Sequence, residues 1–292
     1  MLQAPSWGCT LRPDRPVSPR RVLTGYGSGE QMQFAIKRRI LHRLARRKYF
    51  PNIEVSYAKN LVRLGSKYGG WTFQPSSDLE RSTIVSCGLG EDASFDVEFS
   101  SRFNARVIMV DPTPRAITHF MEIESRMGKS AECSYVKHGK QPPSAYDLKN
   151  VDRHALVLEQ SAIWVENTRL VFYAPPNPDH VSHSIVNLQQ NDAADAARLE
   201  VVAIAFESLL QKYGLTSIPL LKLDIEGAEN KVIQHILEGG VLPRQLLVEY
   251  DELDYPSQAS KDGAERTDAS LRDAGYVCRH FDGNANFLYV MD

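Results

Sequence analysis

From about Leu64 onward the chain alternates short runs of aliphatic and β-branched residues with stretches whose apolar positions recur every three to four residues. The first texture is that of buried strands and the second that of amphipathic helices. Their alternation predicts βαβ units around a doubly wound, mostly parallel sheet. Ser82-Thr83-Ile84-Val85-Ser86-Cys87 predicts a strand running into the turn Gly88-Leu89-Gly90, and Ser94 to Phe103 a helix. Ala105 to Asp111 is the next strand. Thr113 as cap and Pro114 as first helical residue open a helix with Ala116, Phe120, Ile123 and Met127 on its core face, closed by Gly128. Pro219 to Ile225 has a buried-strand pattern, followed by a helix over Ala228 to Leu237 that stops at Gly239-Gly240. Gln245 to Tyr250 is a strand, Ala264 to Ala274 a helix, and Tyr276 to Arg279 and Asn286 to Val290 are the last strands. Between 129 and 200 the pattern is weaker: Ala155 to Leu158 and Arg169 to Tyr173 predict strands, and Ala174-Pro175-Pro176-Asn177-Pro178 a loop.

Upstream the pattern differs. Residues 1–27 scatter four prolines among arginines with no apolar period and predict a poorly ordered arm. Residues 28–63 form an N-terminal helical extension. Ser28 and Gln31 read as a capping box for a helix that runs toward Tyr49 and ends before Pro51. Met32, Ala35, Ile36, Ile40, Leu41, Leu44 and Ala45 make an apolar stripe, and Lys37, Arg38, Arg39, Arg43, Arg46, Arg47 and Lys48 the opposite face. The simpler expectation is a helix docked by its stripe with the basic face in water; an anionic partner for Lys37–Lys48 is the alternative. Residues 64–292 are the main domain.

Charge sharpens this division. The net charge is −2, yet residues 1–72 hold 14 Lys and Arg against three acids, leaving 20 basic and 33 acidic residues in the remainder. Two electrostatically distinct segments share one chain, and nucleic acid is not expected as a partner. At 42% hydrophobic and 24% charged residues the chain has an ordinary globular composition. No apolar run approaches the ~18–20 residues of a membrane span, and the N-terminus does not read as a secretory signal, so a cytoplasmic protein is expected. Cys9, Cys87, Cys133 and Cys278 are too widely spaced for a zinc knuckle or a disulfide framework and are expected as free thiols.

Two segments can carry chemistry. A glycine turn between a parallel strand and a helix lets backbone amides approach a ligand, and Gly88 and Gly90 stand there. Asp111 ends the next strand, 21 residues beyond Gly90, where an acid can accept hydrogen bonds from both ribose hydroxyls of an adenosine-containing cofactor. Gly88 to Ala93 equally satisfies the dinucleotide fingerprint, so this segment does not separate a nicotinamide nucleotide from S-adenosylmethionine. A plain tight turn has the same sequence. The second segment is Lys222-Leu223-Asp224-Ile225-Glu226-Gly227-Ala228-Glu229. Period-2 geometry puts Lys222, Asp224 and Glu226 on one side of a buried strand's carboxyl end, where ligands bind in open α/β sheets. A structural ion-pair network is the alternative, with Lys222 pairing to Glu249 on the neighbouring strand and Glu226 capping the following helix.

The 222–229 segment resembles the signature of the FkbM-type methyltransferases, a branch of the class I S-adenosylmethionine-dependent enzymes. The likeness extends to Tyr68-Gly69-Gly70-Trp71, Ser94-Phe95-Asp96, Val201 to Ile204, Leu247-Val248-Glu249 and Ala274-Gly275-Tyr276, spanning about Leu64 to Val290. It implies a class I, Rossmann-like methyltransferase fold, S-adenosylmethionine as cofactor, and methyl transfer to a hydroxyl of a small-molecule or sugar-containing acceptor. Two positions depart from the usual class I turn: Ser86 stands at the acid position and Asp92 at the third glycine, so Asp92 is expected to contribute a carboxylate instead. The expected cofactor-binding residues are therefore Ser86, Gly88, Gly90, Asp92 and Asp111, with Gln160 and Ser161 toward adenine. Asp224 is the first candidate base, then Glu226, then His183 with His180 in a loop that would cover the site. No resident metal is expected, although Asp224 and Glu226 are types that hold divalent cations. The competing functions are a nicotinamide-dependent oxidoreductase, which leaves the 224–229 segment unexplained, and a noncatalytic binding protein of this fold.

Overall fold

The computed structural model describes residues 41–173 and 198–292. The N-terminal arm, the first part of the basic helix, Cys9, His180 and His183 lie outside the described residues. The description concerns the compact unit Leu44–Asp292.

Its centre is a seven-stranded sheet. In chain order its strands are β3 (Thr83–Cys87), β4 (Arg106–Val110), β5 (Leu156–Glu159), β9 (Leu220–Leu223), β10 (Gln245–Glu249), β11 (Tyr276–Phe281) and β12 (Asn286–Met291). Their spatial order is β11-β12-β10-β9-β3-β4-β5, and β12 pairs antiparallel with both its neighbours. The parallel strands thus run outward from β3 in one direction and from β9 in the other, which places a topological switch point between β3 and β9. Ligands bind at the carboxyl ends of the strands at such a point. The reversed strand β12 departs from the purely parallel dinucleotide-binding order.

The doubly wound α/β class and most element positions agree with the sequence pattern. Strands alternate their side chains between two apolar layers. Val85, Cys87, Leu221 and Leu223 enter one layer; Ile84, Met109, Leu220 and Leu247 enter the other. The helices cover both faces: α2 (Ser94–Phe103), α3 (Pro114–Glu124), α4 (Phe206–Tyr213), α5 (Glu229–Gly239) and α6 (Gln258–Asp273). Thr113 caps α3 through Ala116 N, with Pro114 in the first turn as expected. The last helix begins at Gln258 rather than Ala264, because Ser257 and Ser260 form a reciprocal capping box.

Two small sheets flank the main one, and of their strands the pattern predicted β7, over Arg169 to Tyr173. β1 (Val62–Leu64) and β2 (Trp71–Phe73) form a hairpin, and β6 (Ala162–Trp164), β7 (Thr168–Tyr173) and β8 (Arg198–Ala205) form a three-stranded sheet in the order β6-β8-β7. Residues 41–49 are helical (α1). Within the compact unit Leu44, expected on the docked stripe, is 59% exposed. The contact is made instead by Phe50, whose ring lies 5.2 Å from that of Phe281, and by Arg46, which donates to Asn284 O at 2.6 Å. Beyond it, Ser56 N and Ala58 N donate to Cys278 O and Arg279 O at the edge of β11, so the main body begins upstream of Leu64. Cys87, Cys133 and Cys278 are free thiols. No helix among the described residues is long and apolar enough to cross a membrane.

Candidate active site

The carboxyl ends of β3, β4, β9 and β10 open into one cavity of about 530 Å³. The turn after β3 forms one wall. Gly88 has φ +83°, and a Cβ there would lie 1.8 Å from the carbonyl oxygen of Asp224, so backbone from the β9 end presses directly on this turn. Only glycine satisfies both constraints. Gly90 has φ +55°, its Cβ direction opens on free space, and its N–H donates to Asp111 Oδ2 at 2.9 Å. The other oxygen of Asp111 accepts from Thr113 N at 2.8 Å and Thr113 Oγ1 at 2.7 Å. These bonds fix the carboxylate in the cavity wall, and each oxygen keeps lone-pair directions for a ligand.

Asp92 ties the turn to the β1–β2 hairpin. Its Oδ2 accepts from Ser66 Oγ at 2.6 Å, Gly69 N at 3.2 Å and Gln141 Nε2 at 3.1 Å, and its Oδ1 from Ser94 N at 2.9 Å. The hairpin thereby brings Tyr68, Gly69, Gly70 and Trp71 to the cavity.

The opposite wall follows β9. Lys222 is 4% exposed, and its ammonium donates to Cys87 O at 3.1 Å and Gly88 O at 2.6 Å, with Asp224 Oδ2 at 3.5 Å. It also lies 5.3 Å from the centre of the Trp71 ring, a cation–π distance. No ion pair joins it to Glu249, contrary to expectation: the carbonyls at the end of β3 and the acid two residues along its own chain lie closer. Glu226 has φ +56°, an uncommon conformation for a side chain with a Cβ, and precedes Gly227 at φ +92°. Glu229, rather than Glu226, holds this loop, because its Oε1 accepts from Ile225 N at 2.9 Å and Gly227 N at 3.2 Å. Glu226 lines the cavity instead.

Asp224, Glu226, Glu249, Asp251 and Asp254 gather on this wall. Burial raises Asp224 above the usual carboxylate range even though Lys222 pulls the other way. Burial, with Asp224 and Glu226 adding repulsion, pushes Glu249 up to about 9. Burial likewise lifts Glu229 to about 8, and Asp251 is raised well above its ordinary value. Among the described residues no group of three or more His, Cys, Asp or Glu side chains is placed to hold a metal ion.

A family model described as the methyltransferase FkbM domain matches residues 52–278. The chain belongs to the FkbM methyltransferase family. The match begins at residue 52 rather than near Leu64 and ends at 278 rather than at Val290; residues 56–58, bonded to β11, explain why the domain reaches further upstream than its motifs. No curated protein sequence matches the chain significantly. Among solved structures the chain is similar to the fibrillarin pre-rRNA processing protein of Methanococcus jannaschii, at 8% identity and a TM-score of 0.37, over 74% of this chain and 70% of that one.

In this methyltransferase the cavity brings together Gly88, Gly90, Asp92, Asp111, Asp224 and Glu226 of the expected set. Ser86 lies beneath it, fully buried in β3 and beside Lys222 of β9 in register. Gln160 is exposed, and Ser161 donates to Glu159 Oε1 at 2.7 Å; neither lines the cavity, where the next residues, Ala162 and Ile163, do. His183 lies outside the described residues. Sequence reasoning missed Asp96, Glu249 and Asp251, and left Trp71 aside. The signal for Glu249 is its place at the end of a buried strand.

The residues present fit an adenosyl sulfonium cofactor: a strand-end carboxylate for a ribose diol, an open glycine turn with backbone amides, and an apolar flank of Leu89, Val110 and Ile163.

Proposed function

We propose that this FkbM methyltransferase uses S-adenosylmethionine to methylate a hydroxyl oxygen of a small-molecule or sugar-containing acceptor. One observation carries the reading: the Gly88–Gly90 turn with Asp111 and the Asp224–Glu226 loop face one another across a single cavity, in backbone contact at Gly88. When bound, S-adenosylmethionine supplies a methyl group already activated by its sulfonium. The chain's task is then orientation, with reacting atoms held near ~3–3.5 Å, and removal of a proton. Asp111 and Gly90 bind the nucleoside. Asp224, raised by burial and steadied by Lys222, accepts the acceptor's hydroxyl proton. Glu249, protonated at neutral pH, offers an O–H donor to the acceptor, and Glu226 a second carboxylate. Trp71 and Tyr68 shield the reacting end from water. The reaction is placed in the cytosol, a reading supported by the free thiols Cys87, Cys133 and Cys278.

Calorimetric titration with S-adenosylmethionine, S-adenosylhomocysteine, NAD and NADP tests this. Micromolar binding of the first two alone is expected. Binding of a nicotinamide nucleotide alone would establish a hydride-transfer enzyme, and silence from all four a noncatalytic protein. After an acceptor is found with methyl-labelled cofactor, the label should reside on an acceptor oxygen.

A further inference from the structure

The floor of the cavity holds a carboxylate that the fold leaves unused. Asp96 is 2% exposed and lines the cavity from the first turn of α2, and its Oδ1 has no hydrogen-bond partner. The sheet presents Ser86 and Lys222 side by side in register, and the fully buried Ser86 hydroxyl is near enough to Asp96 to favour its ionised form yet makes no well-formed hydrogen bond to it. Lys222 does not repair this. An ammonium has three donors, and those of Lys222 are turned to Cys87 O, Gly88 O and Asp224. A buried carboxylate oxygen without a donor is costly, and such atoms are rare unless a ligand or functional group supplies the partner.

Ser86 offers a single neutral donor to this carboxylate, which leaves room for a second, cationic donor from the cavity that Asp96 lines. With the nucleoside at Asp111 and the methyl group toward Asp224, the sulfonium's remaining substituent is an amino-acid chain, and its α-ammonium is the one cationic donor in the molecule. We propose that Asp96 binds the α-ammonium of the cofactor's methionine moiety, an assignment that rests on the S-adenosylmethionine reading above. Asp96 takes this role from α2 while Ser86, on the strand, completes the floor. Burial lifts Asp96 to about 6 against the pull of Lys222, with Asp92 adding to the rise and Ser86 opposing it. A bound ammonium restores the charge balance there. Asp92 is unsuited to the task because its carboxylate already accepts from four protein donors.

The test is a ligand and side-chain cycle by calorimetry at pH 7.5, using S-adenosylhomocysteine and its des-amino analogue on the wild type, Asp96→Asn and Asp96→Ser. A charged hydrogen bond of about 1.5–3 kcal/mol corresponds to wild-type preference of about 10- to 100-fold for the amino compound. Both variants should bind the des-amino analogue within about threefold of wild type and lose most of that preference. Two variants are used so that one that melts far below wild type can be set aside. Equal wild-type affinity for the two ligands overturns the assignment without any variant, as does a folded Asp96 variant that keeps the preference. A wild type that binds neither ligand overturns the cofactor reading, and the assignment falls with it.

Discussion

The two walls of the cavity are built on opposite physical terms. On the β3–β4 side Asp92 accepts four donors and Asp111 three, with Asp96 at the floor as the exception. On the β9–β10 side burial raises Asp224, burial with repulsion from neighbouring acids raises Glu249 and Asp251, and Glu226 sits at a left-handed φ. The first wall is satisfied and rigid, suited to binding. The second stores unfavourable electrostatics, as residues poised to hold or take a proton must. Gly88 joins the two.

The comparison breaks most severely at Asp224. Asp224→Asn should lower turnover by about 10²- to 10⁴-fold, the usual worth of a base, read with an acceptor found by a methyl-label screen; full activity would move the base elsewhere. Gly88→Ala should cost about 3 kcal/mol or more, because its Cβ meets the Asp224 carbonyl and its φ is positive. Urea unfolding measures it. Asp92→Ala, which strands donors of Ser66, Gly69, Gln141 and Ser94, should cost about 2–3 kcal/mol by the same method.

A pH series sharpens the contrast. Glu229 and Glu249 titrate near 8 and 9 in the folded protein, far above the ordinary 4.5. Between those values the unfolded chain has released protons that the folded one keeps. Stability from these groups is therefore full below about 4.5 and is lost as pH rises through 8 to 9. Melting temperature should fall from pH 5.5 to 8.5, and Glu229→Gln, which keeps the acceptor for Ile225 N and Gly227 N, should flatten that fall. The smallest effect is expected from Glu226→Gly, which relieves the left-handed φ and should raise stability by up to about 1 kcal/mol while lowering activity.

The satisfied wall was the legible one. Strand, glycine turn, capped helix and strand-end acid are local features, and Thr83–Cys87, Ser94–Phe103 and Arg106–Val110 fall where periodicity puts them. The other wall depends on register between strands distant in the chain. Lys222 reaches β3 carbonyls rather than Glu249 because β9 lies between β3 and β10 and its strand end meets Gly88, which no spacing rule reveals. The β1–β2 hairpin was missed because three-residue strands carry almost no period, yet it delivers Tyr68 and Trp71 to the site. Asp96 is hidden in the first turn of an amphipathic helix, where an acid also reads as a simple complement to the helix dipole.

The central claim is that one wall binds and the other reacts. Calorimetric titration of S-adenosylhomocysteine into Asp111→Ala and Asp224→Asn tests it most directly. The account predicts a loss of about tenfold or more in affinity for Asp111→Ala and wild-type affinity for Asp224→Asn; loss of binding in Asp224→Asn with retention in Asp111→Ala would contradict it.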